Sequence, residues 1–186
     1  MPSLRKNSEE LLIRISGGNL RGRYIKSPGT RHTRPTGAKV RQAVFNIIGN
    51  IDGFALDLYA GSGIMGFEAL SRGAERVDFV EKAPQANTLI KANAKSLDLF
   101  DFCQIWNMSV ELWLKKQKEQ NKASKYDFIY ADPPFLDQYP DLRPFLALRK
   151  SGGVAVFEMP SRNLPPWSDE STEIRRYGES TLALFF

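Results

Sequence analysis

A short apolar run, Phe54 to Tyr59, leads directly into the glycine-rich loop Gly61-Ser62-Gly63-Ile64-Met65-Gly66. The G-x-G-x-x-G spacing is typical of the first strand–turn–helix of a Rossmann-like α/β domain. Glycines in this turn let the backbone approach a nucleotide-like cofactor without a clash of Cβ atoms. The loop therefore predicts an α/β fold with a cofactor site at the carboxyl ends of its strands, but it does not choose the cofactor.

Strand and helix patterns alternate from this loop to the C-terminus. The strand patterns are FALDLY, RVDFVE, FCQIWN, YDFIYA and GVAVFEM, and between them lie the helical patterns GIMGFEALSRG, PQANTLIKANAKSL and SVELWLKKQK and an imperfect one, YPDLRPFLALRK. This alternation predicts a mostly parallel sheet with helices on both faces. STEIRRYG and ESTLALFF flank Gly178-Glu179 and predict a closing hairpin, which makes one edge strand antiparallel.

Positive charge is concentrated at the N-terminal end of the chain. Residues 1–41 contain ten Lys and Arg against two Glu, in a chain of net charge +5. LLIRISGGNLRGRYIKS predicts a hairpin, and the helical spacing of Val40, Val44 and Ile47 predicts a helix that begins near Thr36. The charge, mostly arginine, predicts a surface for a polyanion, most simply nucleic acid. A solubilising tail is the alternative interpretation.

Several classes of protein are excluded by composition. No apolar stretch approaches the ~18 residues of a membrane span, and the N-terminus lacks the apolar core of a secretory signal. Cys103 is the single cysteine and His32 the single histidine, so neither an internal disulfide, a His-based triad nor a zinc site can be built. We therefore expect a cytoplasmic protein with no metal and no membrane association.

Two acidic residues bear on the choice of cofactor. Asp57 lies four residues before Gly61, where a carboxylate would repel the diphosphate of NAD and attract the ammonium of a methionine moiety. Glu81 ends the next strand, about 20 residues after Gly61, and can accept hydrogen bonds from both hydroxyls of a ribose. The pair favours S-adenosylmethionine over NAD. The other interpretation of Asp57 is that it merely caps or orients the loop.

The fourth strand pattern of the α/β region ends in Asp132-Pro133-Pro134-Phe135, which begins 71 residues after Gly61. The two prolines fix a stiff turn, so the Asp132 carboxylate and the Pro133 carbonyl are held as adjacent acceptors. Such acceptors can bind the two protons of an exocyclic amino group, guanine N2 or adenine N6, while Phe135 stacks on the base. The motif predicts methyl transfer to an amino group and makes S-adenosylmethionine the expected cofactor.

The same chain carries RISGGNLRGR (14–23), TRPTGAKVRQAVFN (33–46), LDLYAGSGIMGFEALSRGA (56–74), VEK (80–82) and DPPF (132–135). With these motifs it resembles the RsmD family, bacterial enzymes that methylate a guanine N2 in small-subunit (16S) ribosomal RNA. The resemblance implies a class I S-adenosylmethionine-dependent methyltransferase fold, with a seven-stranded, mostly parallel sheet and an N-terminal hairpin. It implies an RNA-facing extension over residues 1–50 and one catalytic domain over residues 51–186.

The resemblance also implies three sets of site residues. The cofactor would lie against Asp57, Tyr59, Gly61, Ser62, Gly63, Glu81 and Lys82, with Asn107 and Met108 at its adenine. The target base would lie against Asp132, Pro133, Pro134 and Phe135, and the RNA against Arg14, Arg21, Arg23, Arg34, Lys39 and Arg41. Because the extension is small, we expect a monomer that acts on ribosomal RNA in an assembled or assembling small subunit.

The chain departs from the family's usual pattern at Gln42, where Glu is usual, at Met108, where Ala is usual, and in a shorter segment between Phe135 and Gly152. That segment would border the base pocket, so other acceptors stay open: adenine N6 of DNA, another RNA or a protein glutamine amide. The last usually requires Asn in place of Asp132. A non-catalytic RNA-binding protein and an NAD oxidoreductase are further alternatives, and DPPF counts against both.

Overall fold

The computed structural model describes residues 11–28, 37–119, 125–134 and 139–186 of the chain. The strands in these ranges are β1 (Leu11–Arg14), β2 (Tyr24–Ser27), β3 (Gly53–Leu58), β4 (Ala74–Glu81), β5 (Cys103–Asn107), β6 (Tyr126–Ala131), β7 (Arg149–Pro160), β8 (Glu173–Tyr177) and β9 (Ser180–Phe185). The α-helices are α1 (Ala38–Ile48), α2 (Ile64–Ser71), α3 (Pro84–Ser96) and α4 (Val110–Glu119).

Within the described ranges, seven strands form one sheet in the order β5-β4-β3-β6-β7-β9-β8. Strands β3 to β7 run parallel to one another, whereas β9 is antiparallel to both β7 and β8. The expected mixed sheet with an antiparallel C-terminal strand is thus confirmed. The strand order reverses between β3 and β6, and ligands of such sheets bind outside the carboxyl ends of the strands at this point.

Local sequence accounts for where the helices begin and end. Pro84 lies in the first turn of α3, where its missing N–H is not needed. The Ser109 hydroxyl caps α4 by accepting a hydrogen bond from the Leu112 N–H at 3.2 Å. The imperfect helix predicted after Tyr139 is a 3-10 helix over Arg143–Leu148. Pro144, in the first turn of this helix, has no backbone N–H to donate. Strand β7 begins at the residue after Leu148.

The sheet separates two buried layers. One layer contains α1, α2, α3 and the β1–β2 hairpin, with buried side chains that include Ile15, Ile25, Val44, Phe67 and Ile90. The other contains α4 and the segment around Arg143–Leu148, with Trp113, Phe145 and Trp167. The hairpin and α1 therefore pack on the same side of the sheet as the helix that follows the glycine loop. None of the described helices has the length and apolar character needed to cross a bilayer.

Candidate active site

The glycine loop connects the end of β3 to the start of α2. Gly63 precedes the helix with a φ of 80°, in the left-handed region that glycine adopts without strain, and its N–H donates to the Ala60 carbonyl at 2.7 Å. Gly66 lies where a Cβ atom would come within 2.2 Å of the Phe79 ring. The positive φ of Gly63 shapes the turn, and the absence of a Cβ atom at Gly66 lets α2 pack directly on β4.

Asp57 lies inside β3 and is 3% exposed. Its Oδ2 accepts a hydrogen bond from the Gly66 N–H at 2.9 Å, which fixes the start of α2 relative to the strand. Burial and, to a smaller extent, the nearby charge of Glu81 raise the pKa of Asp57 to about 8, against the lowering effect of the Gly66 hydrogen bond. The hydrogen bond to Gly66 fits the interpretation that Asp57 orients the loop. Attraction of a ligand ammonium stays a prediction.

Glu81 ends β4, next to the loop, and both of its carboxylate oxygens accept backbone hydrogen bonds. Oε2 accepts from the Gly61 N–H at 2.9 Å, and Oε1 accepts from the Ala83 N–H at 2.8 Å. An ionised carboxylate offers about four acceptor positions, so each oxygen keeps a lone pair for a further donor. Glu81 is therefore held rigidly while it can still accept hydrogen bonds from a diol.

Asn107 is the last residue of β5, where it pairs with Glu81 at the end of β4, and Met108 follows it. The Met108 N–H donates to the Glu81 carbonyl at 3.1 Å, and the Asn107 Oδ1 accepts a hydrogen bond from Asn87 Nδ2 at 3.2 Å. The two residues are exposed and half-buried, respectively. The structure therefore brings them beside Glu81, and their contact with an adenine stays a prediction.

Asp132 follows β6, directly across the point where the strand order reverses. Leu58 pairs with Ala131, so Tyr59 and Asp132 follow neighbouring strands at the same level. Asp132 is half-buried, Pro133 is buried and Pro134 is exposed, whereas Phe135 lies outside the described residues. The glycine loop and the start of the Asp-Pro-Pro turn therefore lie at one edge of the sheet.

Tyr59 and Lys82 lie near the rim of this site. The Tyr59 hydroxyl donates to Glu111 Oε1 at 3.3 Å, and burial and the Glu111 charge raise the pKa of Tyr59. Lys82 lies close enough to Glu111 to lower the pKa of its carboxyl, together with hydrogen bonds and against the effect of desolvation. These interactions hold the Tyr59 side chain against the first turn of α4, and its contact with a cofactor stays a prediction.

An open cleft of about 430 Å³ lies between β1 and the N-terminal turn of α1. Arg14 and Arg21 line it from the hairpin and Gln42 lines it from the helix, and the two arginines are exposed. Amide groups at a helix N-terminus add partial positive charge. The exposed Lys39 lies on the same turn of α1. The cleft therefore has positive charge on both of its sides.

The end of α1 that borders this cleft points toward the carboxyl ends of the strands. The Phe45 ring lies 5.7 Å from the Phe128 ring of β6. Arg41, one helical turn earlier, lies close enough to Tyr130, further along β6, for an electrostatic interaction with its hydroxyl. The helix therefore runs antiparallel to β6, and its first turn lies toward the edge of the sheet that carries Asp132.

Arg41 departs from the prediction that it faces RNA, because it is only 4% exposed. Its Nε lies 3.4 Å from Oε1 of Glu68, which is fully buried, and its Nη2 donates to the Arg14 carbonyl at 3.2 Å. Burial lowers the pKa of Arg41 despite the neighbouring Glu68 carboxylate. The structure gives Arg41 a role in holding the hairpin against α2.

Arg23 is partly engaged as well. Its Nη2 donates to the Ser96 carbonyl at 2.5 Å, at the C-terminal end of α3, and 44% of its side chain is exposed. Arg34 lies outside the described residues. Of the six arginines and lysines predicted to contact RNA, the structure thus places Arg14, Arg21 and Lys39 on the surface near the cleft.

The family described as conserved hypothetical protein 95, which comprises the RsmD proteins, matches residues 13–186. The chain belongs to the RsmD family. YlbH of Bacillus subtilis is 37% identical over 128 residues, which make up 68% of either chain. The ribosomal RNA small subunit methyltransferase D of Buchnera aphidicola is 35% identical over 133 residues, 70% of this chain and 65% of that one. The chain thus matches about two thirds of the length of these relatives.

Solved structures share the fold. A hypothetical protein of Thermus thermophilus is 30% identical and has a TM-score of 0.75, covering 93% of this chain and 98% of that chain. SMU.776, solved as a complex with SAH, is 14% identical and has a TM-score of 0.73, covering 97% of this chain and 56% of that chain. The Rossmann-like methyltransferase fold predicted from the RsmD-family motifs is confirmed.

Two residues of the site in this RsmD-family chain were missed by the sequence motifs. Asn87 on α3 donates from Nδ2 to the Glu81 and Ala83 carbonyls, at 2.7 and 3.0 Å, and so joins β4 to α3. The Tyr139 hydroxyl donates to the Glu158 carbonyl, and burial and the charge of Asp132 raise the pKa of Tyr139. Only Asn87 could have been noticed in the sequence, because it is a polar residue three positions before Ile90 and so lies on the apolar face of α3.

Proposed function

We propose that this chain transfers a methyl group from S-adenosylmethionine to the exocyclic N2 of a guanine in small-subunit ribosomal RNA. One observation carries the proposal: the Leu58–Ala131 pairing brings the glycine loop and the Asp132 turn side by side at the reversal of strand order. A cofactor on the loop and a base on the turn would therefore meet. Membership of the RsmD family supports the same reaction.

The donor groups of the loop fit S-adenosylmethionine better than a dinucleotide. Glu81 offers rigid acceptors for the ribose hydroxyls. Asp57 lies buried beneath the loop, where its ionised form would pair with a ligand ammonium and oppose a diphosphate. The Asn87 Oδ1, buried and without a hydrogen-bond partner among the described residues, adds a further acceptor beside Asn107. When bound, S-adenosylmethionine supplies an electrophilic methyl group on a sulfonium.

Asp132 and Pro133 supply the acceptor side of the reaction. The Asp132 carboxylate and the Pro133 carbonyl would accept hydrogen bonds from the two amino protons of the base. This interaction draws the nitrogen toward tetrahedral geometry and directs its lone pair at the methyl carbon. The nitrogen would bond to the methyl carbon as the carbon–sulfur bond breaks and SAH leaves, and the surplus proton of the nitrogen would pass to water. The contribution of the protein is positioning and charge complementarity.

The cleft beside α1 would bind the phosphate backbone next to the flipped base. Arg14 and Arg21 have exposed guanidinium groups there, and such groups match phosphate in a planar, bidentate way. This surface is small, which favours an assembled or assembling small subunit over naked RNA as the substrate. We propose that the enzyme acts as a monomer in the cytoplasm, where this substrate is made.

The cofactor and the acceptor are tested in sequence. Calorimetry compares the affinities of the protein for NAD and for SAH, which is S-adenosylhomocysteine, the cofactor without its methyl group. We expect SAH to bind with a micromolar Kd and NAD not to bind measurably. Methyl transfer from labelled S-adenosylmethionine is then measured on unmodified small ribosomal subunits, naked small-subunit RNA and duplex DNA. Label in the ribosomal RNA supports the proposal, and faster labelling of the subunits supports the particle as substrate.

Other outcomes of the same assays exclude the proposal. Label in the DNA alone would assign an adenine acceptor, and binding of NAD instead of SAH would assign an oxidoreductase. Binding of SAH and RNA without transfer to any of the three acceptors would contradict the proposed reaction and favour a binding protein.

A further inference from the structure

Asn93 lies on the buried face of α3 and connects two parts of the molecule that are far apart in sequence. It is 2% exposed. Its Oδ1 accepts a hydrogen bond from the Lys26 N–H at 2.9 Å, and its Nδ2 donates to the Lys26 carbonyl at 2.8 Å. The same Nδ2 donates to the Ser62 carbonyl at 3.2 Å. One side-chain amide thus binds both strand β2 of the hairpin and the glycine loop.

The other hydrogen bonds of the hairpin go to different places. The Ser71 hydroxyl accepts from the Leu20 N–H at 2.8 Å and donates to the Gly17 carbonyl at 2.6 Å, at the end of α2. The Ser16 N–H donates to Glu68 Oε1 at 2.7 Å. These contacts hold the turn of the hairpin against the body of α2. Asn93, in contrast, reaches the carbonyl between the two glycines of the cofactor loop.

The position of the Ser62 carbonyl matters because it belongs to the tight turn. Ser62 is flanked by Gly61 and Gly63, both at positive φ, and its carbonyl fixes the orientation of the peptide that leads into α2. Glycine-flanked peptides reorient easily, since glycine has few steric restrictions. A buried amide that holds this carbonyl therefore limits how many conformations the loop can adopt.

We propose that Asn93 is a positioning residue that couples RNA binding on the hairpin to cofactor binding in the loop. The inference rests on the proposed function. RNA that engages Arg14 and Arg21 restricts the hairpin, and Lys26 passes this restriction through Asn93 to Ser62. The loop is then partly ordered before the cofactor arrives, so less conformational entropy is lost on binding. By linkage, the cofactor increases the affinity for RNA by the same factor.

The test measures the Kd of SAH by calorimetry, with and without a saturating amount of unmodified small-subunit RNA. SAH has no methyl group to transfer, so the measurement is independent of turnover. Wild-type protein is expected to bind SAH at least fivefold more tightly with RNA present, the lower end of typical coupling factors. Asn93→Ala is expected to bind SAH with the same Kd, within twofold, whether or not RNA is present.

Two further variants separate coupling from folding. Asn93→Asp keeps the acceptor for the Lys26 N–H and the size of the side chain, but it cannot donate to the Lys26 or Ser62 carbonyls, so it is also expected to lose the coupling. Ser71→Ala loosens the hairpin without a contact to the loop, so it is expected to keep at least fivefold coupling at saturating RNA. Thermal melting identifies the variants that remain folded, and hydrogen exchange of the loop amides reports its order directly.

The outcomes distinguish this inference from the proposed function. Absence of SAH binding by wild-type protein would overturn both. Normal methyl transfer by wild-type protein, with no effect of RNA on the Kd of SAH, would overturn the coupling alone. The coupling would also be overturned if the folded Asn93→Asp variant kept the wild-type effect of RNA, or if Ser71→Ala lost that effect to the same extent.

Discussion

The carboxylate of Glu81 accepts a hydrogen bond from the Gly61 N–H at 2.9 Å, which joins the end of β4 to the loop that follows β3. This acid therefore shapes the loop, and we propose that it also accepts hydrogen bonds from a ribose. Glu81→Gln removes the charge and one acceptor, so we expect the Kd of SAH to rise by about tenfold, in line with the ~1.5–3 kcal/mol of a charged hydrogen bond. Calorimetry checks this, and Glu75→Gln, at the exposed start of β4, is the matched control. Equal affinities of the two variants would contradict the role of Glu81.

Asp57 is expected to make cofactor binding depend on pH. Its pKa in the free protein is raised to about 8, so at pH 6 the carboxyl is mostly protonated. A bound ammonium favours the ionised form, and binding must then release a proton. The affinity for SAH is expected to rise by up to tenfold per pH unit between pH 6 and 8 and then to level off.

Asp57→Asn is the control for this pH dependence. It cannot ionise, so its affinity for SAH should be weaker and nearly constant over the same range. Calorimetry in buffers of different ionisation enthalpy counts the protons released. A wild-type affinity that does not change with pH would show that Asp57 only orients the loop.

Asp132 is expected to act in transfer and not in cofactor binding. Asp132→Ala removes one of the two acceptors for the amino group, and removal of one such positioned partner typically lowers the rate by about 10²–10³-fold. The Kd of SAH should stay within about twofold of wild type. Single-turnover transfer to small subunits measures the rate. Near-normal turnover of this variant would show that the proposed chemistry is wrong.

The arginines of the cleft are expected to set the salt dependence of RNA binding. The double variant Arg14→Ala, Arg21→Ala should bind RNA more weakly and reduce the slope of log K against log salt by about 0.7–0.9 per lost phosphate contact. Arg175→Ala is the control, because Arg175 is exposed on β8 at the far edge of the sheet. A slope equal to that of the control would exclude the cleft as a phosphate site.

Arg41 is expected to contribute to stability and little to RNA affinity. Arg41→Ala leaves the fully buried Glu68 carboxylate without one of its two cationic partners, so we expect a loss of about 3 kcal/mol in the free energy of unfolding. Lys39→Ala, on the exposed face of the same helix, should change it by less than about 0.5 kcal/mol. Urea denaturation measures both. An Arg41→Ala variant of normal stability that binds RNA weakly would restore the original prediction for Arg41.

Much of the fold follows from the sequence because its signals are local. The alternation of strand and helix patterns predicts the parallel sheet, and the turn at Gly178-Glu179 predicts the antiparallel hairpin at its edge. The proximity of Glu81 and Asp132 to the glycine loop also follows, since all three lie after parallel strands. The carboxyl ends of such strands meet at the same edge of a sheet.

The contacts of the hairpin could not be predicted, because they depend on how separate elements pack. A count of positive charges does not distinguish Arg41 from Arg21, although Arg41 shares a helical face with Val44 and Phe45. Asn93 likewise lies on the same face of α3 as Ile90 and Ala94. A polar residue at an apolar position of a helix indicates a buried partner, but only the structure identifies Glu68 and Ser62 as those partners.

The most direct test of the account identifies the nucleoside that receives the methyl group. Unmodified small ribosomal subunits are incubated with the enzyme and labelled S-adenosylmethionine, and their RNA is digested and separated by chromatography. We expect label in N2-methylguanosine, and labelling slower by at least about a hundredfold when Asp132→Ala replaces the wild-type enzyme. Label in N6-methyladenosine, or equal labelling by the two proteins, would contradict the account.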